Sequence, residues 1–305
     1  RRPRTRNPRD GYPLKATPQM IVDVHTHAFA PAQIEERFAL ETRRARGSVA
    51  IDLDISPEKH AAAMRNVDRA IVFGLKARHV GIHTPDAFIA DFVRDNPKLL
   101  GFCGVDPNEK NYLRDFEAAI FDWGLCGIKL AAMYANFSPL DERLTPVYEL
   151  AAHKGLPVLA HTGTTFCQFA PLEFTRPILF DELAMKHPEV VFIMAHLGHP
   201  WEGETLAVIR KHPNVYADIS ALHYRPWQLY NALVLAQEYG VTHKILFGSD
   251  FPFATPSETI AGLQALNRMV EGTHLPRVSS ENLEEIIHRD SVKLLFPKGI
   301  FGGRA

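Results

Sequence analysis

Residues 20–29, MIVDVHTHAF, end a short apolar run with two histidines one residue apart. Side chains on a β-strand alternate between its two faces, so His25 and His27 point in the same direction. The ring nitrogens of both can then reach one metal ion. Asp23 shares their face and is predicted to orient one of the rings as a hydrogen-bond acceptor. A pair of this kind is weak evidence alone, because structural histidines are also common.

Three other apolar runs end in a residue that could complete such a site. His161 follows PVLA, His196 follows VVFIMA, and Asp250 follows KILFGS. In a barrel of parallel strands, the active site is built at the carboxyl ends of the strands, so these side chains would meet at one rim. Three histidines with a carboxylate suit Zn²⁺, and also Mn²⁺, Fe²⁺ or Co²⁺. We therefore predict one divalent metal ion, with zinc as the first candidate.

The elements that must position these residues are short apolar runs rich in β-branched side chains. Eight runs recur, at residues 21–24, 70–73, 100–105, 127–130, 158–160, 190–194, 215–219 and 245–247. Most are apolar throughout, as expected for parallel strands that are buried on both faces. Amphipathic segments alternate with them, at residues 113–123, 144–155, 177–188 and 228–240. This alternation predicts an α/β chain folded as a single-domain (β/α)8 barrel of the TIM type, closed by a C-terminal helix over residues 282–296.

The domain organisation follows from composition. No composition break marks a second domain, and no glycine-rich dinucleotide fingerprint follows the first run. We predict a barrel over residues 20–297, an N-terminal arm over residues 1–19 outside the fold, and a tail over residues 298–305. The insertion at residues 33–59 is expected to be helical and to act partly as a lid.

The charge balance and the number of cysteines limit which binding partners and which cellular compartment are expected. The 305 residues include 34 Lys and Arg against 35 Asp and Glu, which argues against nucleic acid or an anionic membrane as the main partner. A disulfide framework is not expected, because the chain has only three cysteines, which is an odd number. Free thiols and a cytoplasmic location are expected instead. No apolar run reaches the ~18–20 residues that a membrane-spanning helix needs. The expected partner is a small-molecule substrate, with a homodimer as an open alternative.

Five motifs carry a resemblance to a known family. DVHTH, GIKL, LAHTG, AHLGHPW and LFGSDFP occur in the order found in the amidohydrolase superfamily. The chain is most similar to the amidohydrolase-2 branch, which includes relatives of aminocarboxymuconate semialdehyde decarboxylase. The resemblance spans nearly all of residues 20–296 and implies a TIM-like barrel with a metal at its mouth. It further implies that His25, His27, His161 and Asp250 are metal ligands and that His196 is a catalytic histidine that assists without being a permanent ligand.

Such a site would catalyse either hydrolysis or a lyase reaction. A metal with an open coordination position lowers the pKa of its bound water to about 7. We expect Asp250 to shuttle a proton to a leaving group and His196 to orient the water or to polarise a substrate carbonyl. Hydrolysis of an ester, lactone or amide is the first predicted reaction, because few large insertions cover the mouth. Non-oxidative decarboxylation at the same metal site and a catalytically silent barrel scaffold are the alternatives.

Substrate contacts are predicted in the loops that follow the strands, at His223, Trp201, Arg225 and Tyr134. Lys129 lies near the end of the fourth run, and three roles remain open for it: a cation facing a substrate carboxylate, a carboxylated bridge between two metals, or a structural ion pair. Aromatic loop residues suit a flat or unsaturated organic substrate, although about half are expected only to seal the loops. These residues are Tyr134, Phe137, Phe166, Trp201, Tyr224, Trp227, Phe251 and Phe253.

Overall fold

The computed structural model describes residues 20–47 and 49–301, and its centre is a sheet of eight parallel strands in sequence order. The strands are β1 Val22–His27, β2 Arg69–Phe73, β3 Leu99–Val105, β4 Gly127–Leu130, β5 Val158–Ala160, β6 Phe192–Met194, β7 Val215–Asp218 and β8 Ile245–Leu246. Each of the eight predicted runs overlaps one of these strands. The predicted fold class, an α/β barrel of the TIM type, is confirmed.

The barrel closes where the chain that follows β8 meets β1. The amide of Val24 donates to the carbonyl of Phe247 over 3.0 Å, and the amide of His27 donates to that of Phe251 over 2.8 Å. The amide of Asp250 donates in return to the carbonyl of His25 over 2.9 Å. Backbone pairing thus brings the first and the last predicted metal ligands to adjacent positions.

Helices alternate with the strands, within the described part of the chain. They are α1 Glu36–Arg46, α2 Pro57–Ala63, α3 Asp86–Val93, α4 Tyr112–Phe121, α5 Thr145–Lys154, α6 Leu179–Lys186, α7 Glu202–Lys211, α8 Pro226–Glu238, α9 Pro256–Ala265, α10 Ser280–His288 and α11 Ser291–Leu295. Local signals account for several of their ends. At the start of α9, Thr255 and Glu258 form a capping box in which each side chain bonds the other residue's amide. At the end of α5, Gly155 adopts a left-handed conformation with φ 68°.

The predicted closing helix over residues 282–296 is in fact two helices, α10 and α11. Arg289 leaves the helical conformation with φ −68° and ψ 129°. The Asp290 side chain then accepts a hydrogen bond from the amide of Lys293 over 3.2 Å, which starts a new helix. The C-terminal segment is helical, as predicted. The prediction of one continuous helix was wrong, because Asp290 caps a second helix within the segment.

The insertion predicted at residues 33–59 contains α1 and the beginning of α2. Two side chains tie α1 to loops at the barrel mouth. The guanidinium of Arg37 donates to the carbonyl of His79 over 2.7 Å, and the amide of Gln168 donates to the Glu41 carboxylate over 3.3 Å. Phe38 on α1 lines the cavity described below, so α1 covers part of the mouth.

Three further sequence predictions concern the cysteines, membrane-spanning helices and the N-terminal arm. Cys103, Cys126 and Cys167 are buried free thiols, as predicted. Among the described residues, no helix has both the length and the apolar character needed to cross a bilayer. The predicted arm over residues 1–19 lies outside the described residues, and the predicted domain boundaries stay a prediction.

A buried histidine behind β1 makes the fold sensitive to acid. His60 on α2 is 1% exposed, and its Nε2 lies 3.0 Å from the Thr26 hydroxyl. That hydroxyl donates to the carbonyl of Ile71 over 2.7 Å, so it can only accept from His60. His60 Nδ1 is buried and has no hydrogen-bond partner within the part of the chain that the structure describes. Burial lowers the pKa of His60 from 6.5 to about 4, because a charged ring would be poorly solvated there.

We expect His60→Gln to reduce the acid sensitivity of unfolding. Between pH 6.5 and pH 4 the unfolded chain binds a proton at His60 that the folded chain does not, so the free energy of unfolding falls as the pH decreases. The loss from this residue is about 2 kcal/mol between pH 7.5 and pH 5. Glutamine keeps a donor for Thr26 and does not titrate. Urea unfolding of both proteins at the two pH values measures the difference, and an equal pH dependence would contradict the assignment.

Candidate metal centre

The candidate metal centre is built where the barrel closes, from residues of the first strand, β1, and of the segment that follows the last strand, β8. β1 places the rings of His25 and His27 with their centroids 5.3 Å apart. Oδ1 of Asp250 lies 3.3 Å from Nε2 of His25 and 3.2 Å from Nε2 of His27. The three candidate ligand atoms all lie within 4.8 Å of one another. Three of the predicted metal ligands are therefore gathered at one point.

Two further histidines adjoin this group. His161 follows β5 and His196 follows β6, and Nδ1 of His161 lies 3.2 Å from Nε2 of His196. The ring centroids of His196 and His25 are 4.8 Å apart. Nε2 of His161 lies 3.2 Å from the carbonyl of Thr164, so this side chain stands beside the tight group of His25, His27 and Asp250 rather than within it.

The backbone at these positions is unusually constrained. Asp250, His196, Leu197 and Ala221 have φ values of 68°, 58°, 47° and 59°, in the left-handed region that residues other than glycine rarely adopt. All four follow barrel strands at the same rim. Such conformations cost free energy and persist where the surrounding structure imposes them, commonly at functional sites.

The imidazoles of the centre are neutral at neutral pH. Burial lowers the pKa of His25, His27 and His196 well below the usual value, and lowers that of His161 to about 3. The positive charge of Lys129 lowers the pKa of His25, His27 and His161 further. A neutral ring carries one nitrogen lone pair, which is the form that binds a metal.

Hydrogen bonding directs the lone pair of His25 into the centre. Its Nδ1 lies 2.9 Å from Oδ2 of Asp218. A carboxylate only accepts hydrogen bonds, so the proton of the ring is on Nδ1 and Nε2 is bare. Nε2 faces Oδ1 of Asp250, which is another acceptor. Two acceptors brought together in this way fit a cation that binds both.

The pair formed by His196 and His161 shows the same arrangement. Nδ1 of His196 lies 3.2 Å from the carbonyl of Ser220, and Nε2 of His161 lies beside the carbonyl of Thr164. Each carbonyl accepts a proton from its ring, which leaves bare nitrogens on the sides that face each other. The residues present therefore fit a divalent metal, and the donor set of histidine nitrogens and a carboxylate oxygen is that of zinc and related ions.

Lys129 lies inside the barrel next to this group. The side chain is 1% exposed, with Nζ 3.4 Å from Nε2 of His25 and 4.3 Å from the ring centroid of Phe73. Burial lowers the pKa of Lys129 to about 7, although the negative charges of Asp218 and Asp250 oppose this effect. The lysine therefore has direct access to the candidate ligands, and its three predicted roles stay open.

A cavity of about 280 Å³ leads to the centre. Of the substrate contacts predicted from the sequence, Lys129, Tyr134 and Arg225 line it. The Arg225 guanidinium stacks 4.6 Å from the ring centroid of Tyr224 and donates to the carbonyl of Ala221 over 2.6 Å. Four of the eight aromatic loop residues form part of the wall, namely Tyr134, Phe166, Tyr224 and Phe253.

Trp201 and His223 are not among the described residues that line the cavity, and their predicted substrate contacts stay predictions. The Trp201 ring is covered by the guanidinium of Arg176, 4.8 Å from its centroid. His223 packs on α9, where a Cβ at Gly262 would come within 2.7 Å of the Cβ of His223.

The structure also corrects the role of Asp23. Its Oδ1 accepts from the backbone amides of His25 and Ser249, over 3.1 Å and 3.0 Å, and bonds no imidazole of the described residues. The ring of His25 is held instead by Asp218, which the sequence analysis did not consider. The sequence did contain a signal for Asp218. This aspartate ends the run VYAD, and the other candidate residues also stand at or just after the ends of their runs.

Comparison with known proteins decides the family. The family model described as Amidohydrolase, of the amidohydrolase-2 type, matches residues 22–295. The chain belongs to this family. The predicted resemblance is confirmed, and so is the prediction of an enzyme of this family, for which hydrolysis and decarboxylation both remain open. The family is metal-dependent.

Solved structures with the same fold have low sequence identity to this chain. An uncharacterised TIM-barrel protein from Bordetella bronchiseptica is 19% identical, with 90% of this chain and 98% of that chain covered and a TM-score of 0.68. A probable 2-pyrone-4,6-dicarboxylic acid hydrolase from Acinetobacter baumannii, solved with citric acid, is 16% identical, with 90% and 98% covered and a TM-score of 0.61. A dihydroxybenzoic acid decarboxylase from Polaromonas, solved with manganese and 2-nitroresorcinol, is 14% identical, with 92% and 98% covered and a TM-score of 0.62. No curated protein matches the chain by sequence.

Proposed function

We propose that the chain is a metal-dependent hydrolase that acts on a small, carboxylated, unsaturated or aromatic ester, lactone or amide. The observation that carries the proposal is the convergence of His25, His27 and Asp250 at a cavity with cationic and aromatic walls. His161 and His196 adjoin the same point. In this proposal His25, His27, His161 and Asp250 hold one divalent metal, with zinc as the first candidate. When bound, the metal supplies Lewis-acid chemistry and lowers the pKa of water.

Asp250 is the proposed proton shuttle. Its side chain keeps 11% of its surface accessible, against 1% for His25 and 6% for His27. It is therefore the member of the group best placed to exchange a proton with a molecule in the cavity. His196 also lines the cavity and carries a bare Nε2, which can accept a hydrogen bond from water or substrate. These two groups take a proton from water and return it to the leaving group.

The cavity wall supports the proposed substrate class. Arg225 and Lys129 place two basic side chains in a space that suits a molecule of about one ring. A guanidinium binds a carboxylate through paired hydrogen bonds. The aromatic side chains of Tyr134, Phe166 and Phe253 offer flat apolar contacts to an unsaturated substrate. The hydrolase among the structural neighbours is named for a dicarboxylic acid, which agrees with this class.

Decarboxylation is the second candidate. The same basic wall would hold a carboxylate against the metal, and structural neighbours include enzymes named as decarboxylases of dihydroxybenzoic acids. Asp250 would then deliver a proton to carbon in place of a leaving oxygen or nitrogen. One of these neighbours holds manganese, so manganese is an alternative to zinc in this chain.

The test is turnover of a substrate panel by the metal-loaded protein. The panel pairs small carboxylated lactones and esters with aromatic carboxylates, and the assays follow acid release and CO₂ release in parallel. We expect acid release from a lactone or ester without CO₂. CO₂ release from an aromatic carboxylate would favour the second candidate, and no turnover of either group would reject this substrate class. A cytoplasmic location, a homodimer and a barrel domain over residues 20–297 remain proposals to be tested separately.

A further inference from the structure

Asp218 at the end of β7 is fully buried behind the candidate metal centre. Its two carboxylate oxygens have different partners. Oδ2 lies 2.9 Å from Nδ1 of His25. Oδ1 accepts from the backbone amides of His196 over 2.9 Å and Ser220 over 3.0 Å, and also from the Ser220 hydroxyl. One carboxylate thus bonds the ring of a proposed metal ligand and the backbone of the proposed catalytic histidine.

The Ser220 hydroxyl extends this contact to the ring of His196. Because the hydroxyl gives its proton to Asp218, its oxygen is left to accept. Nδ1 of His196 lies 2.7 Å from that oxygen and 3.2 Å from the Ser220 carbonyl. Both neighbours of Nδ1 are acceptors, so the proton of His196 is on Nδ1.

His27 provides an internal contrast. Its Nδ1 is buried without a hydrogen-bond partner among the described residues, and the carboxylate that its ring meets, that of Asp250, lies at Nε2 on the side of the proposed metal. A carboxylate at Nδ1, behind the ring, is therefore found at His25 and not at His27, although the two histidines lie on the same strand and the same face.

We propose that Asp218 and Ser220 are a positioning pair that holds His25 and His196 in the Nδ1–H tautomer, so that Nε2 of His25 binds the metal and Nε2 of His196 stays bare beside His161 at the cavity. Residues that donate to or accept from a metal-bound histidine generally fix its tautomer and orientation. The inference rests on the metal site proposed above. It adds two residues that contact neither metal nor substrate.

The decisive variant is Asp218→Asn. Two backbone amides and a hydroxyl donate to the Oδ1 position, so the amide oxygen must occupy that position. The NH₂ group then faces Nδ1 of His25 and donates to it, which moves the ring proton to Nε2 and blocks the metal-binding nitrogen. We expect the Kd for Zn²⁺, measured by chelator competition, to rise by about 10–100-fold.

Two other variants separate this effect from general disruption. Ser220→Ala removes a hydroxyl that lies 3.1 Å from Nδ1 of His25 and leaves the shorter bond from Asp218 to that nitrogen in place. The Kd for Zn²⁺ should therefore stay within about threefold of wild type, below the usual effect of losing such a partner. Asp86→Asn is a matched control, because Asp86 is another buried aspartate, paired with Lys76 over 2.5 Å outside the centre. A folded Asp218→Asn protein with wild-type affinity, or an equal loss of affinity in Asp86→Asn, would overturn the proposal.

A second measurement is independent of metal binding. The ¹⁵N shifts of the imidazoles in the metal-free wild type should identify His25 and His196 as Nδ1–H tautomers. The signals of His25 should change to the Nε2–H pattern in Asp218→Asn. In Ser220→Ala the Nδ1 signal of His196 should shift, because the hydroxyl acceptor is lost, while the Nδ1–H tautomer is kept by the Ser220 carbonyl. An Nε2–H tautomer of His25 in the wild type would overturn the positioning role even if Zn²⁺ does not bind. Failure of the wild type to bind any metal would instead count against the proposed metal site.

Discussion

Replacement of Asp250 with asparagine is expected to lower kcat by about 10²–10⁴-fold, the usual contribution of a positioned acid or base. Asparagine has nearly the same shape, and its amide oxygen can still face His25 and His27 at about the present distances of 3.3 Å and 3.2 Å. It cannot accept and return a proton. The measurement is steady-state kinetics with the metal content of each preparation determined in parallel, so that kcat is expressed per bound metal.

Asp181→Asn is the matched control for this substitution. Asp181 is a carboxylate at the surface that pairs with Lys211 and His212 over 2.6 Å and 2.7 Å, away from the cavity. Its replacement should leave kcat unchanged. If Asp250→Asn retained wild-type kcat per metal, the proton-shuttle role would have to be abandoned, although Asp250 could remain a ligand.

The double variant His25→Ala/His27→Ala is expected to lose the metal altogether. It removes two ring nitrogens from a proposed set of four protein ligands, and two ligands rarely hold zinc against dialysis. Elemental analysis after dialysis should give about one equivalent of metal per chain for the wild type, as expected for a mononuclear site, and essentially none for the variant. Turnover should fall to the level of the uncatalysed reaction.

His153→Ala/His243→Ala removes two exposed histidines and should retain one equivalent. Metal retained by the His25→Ala/His27→Ala protein would show that the bound ion lies elsewhere. Two equivalents in the wild type would favour the role of Lys129 as a carboxylated bridge, because its Nζ lies only 3.4 Å from Nε2 of His25. A wild type that binds neither Zn²⁺ nor Mn²⁺ would contradict the proposed metal site.

The fold was predictable because its signals are local. Each strand is a short run buried on both faces, and its apolar composition can be read without knowledge of its neighbours. Alternation of side chains along β1 is equally local, so the pairing of His25 and His27 on one face follows from their spacing. Active sites of such barrels form at the carboxyl ends of the strands. This rule places His161, His196 and Asp250 at the same rim.

The amino-acid sequence by itself thus determined the barrel, its strand order and the set of polar residues gathered at its mouth. Only the tertiary structure decided which side chains support that set. Asp218 reaches His25 across 193 residues of sequence, and Arg225 and Tyr134 line the cavity whereas Trp201 and His223 do not. The reason is physical: strand periodicity depends on neighbouring residues along the chain, whereas the direction of a loop side chain and the partner of a buried carboxylate depend on elements that meet only in the folded barrel.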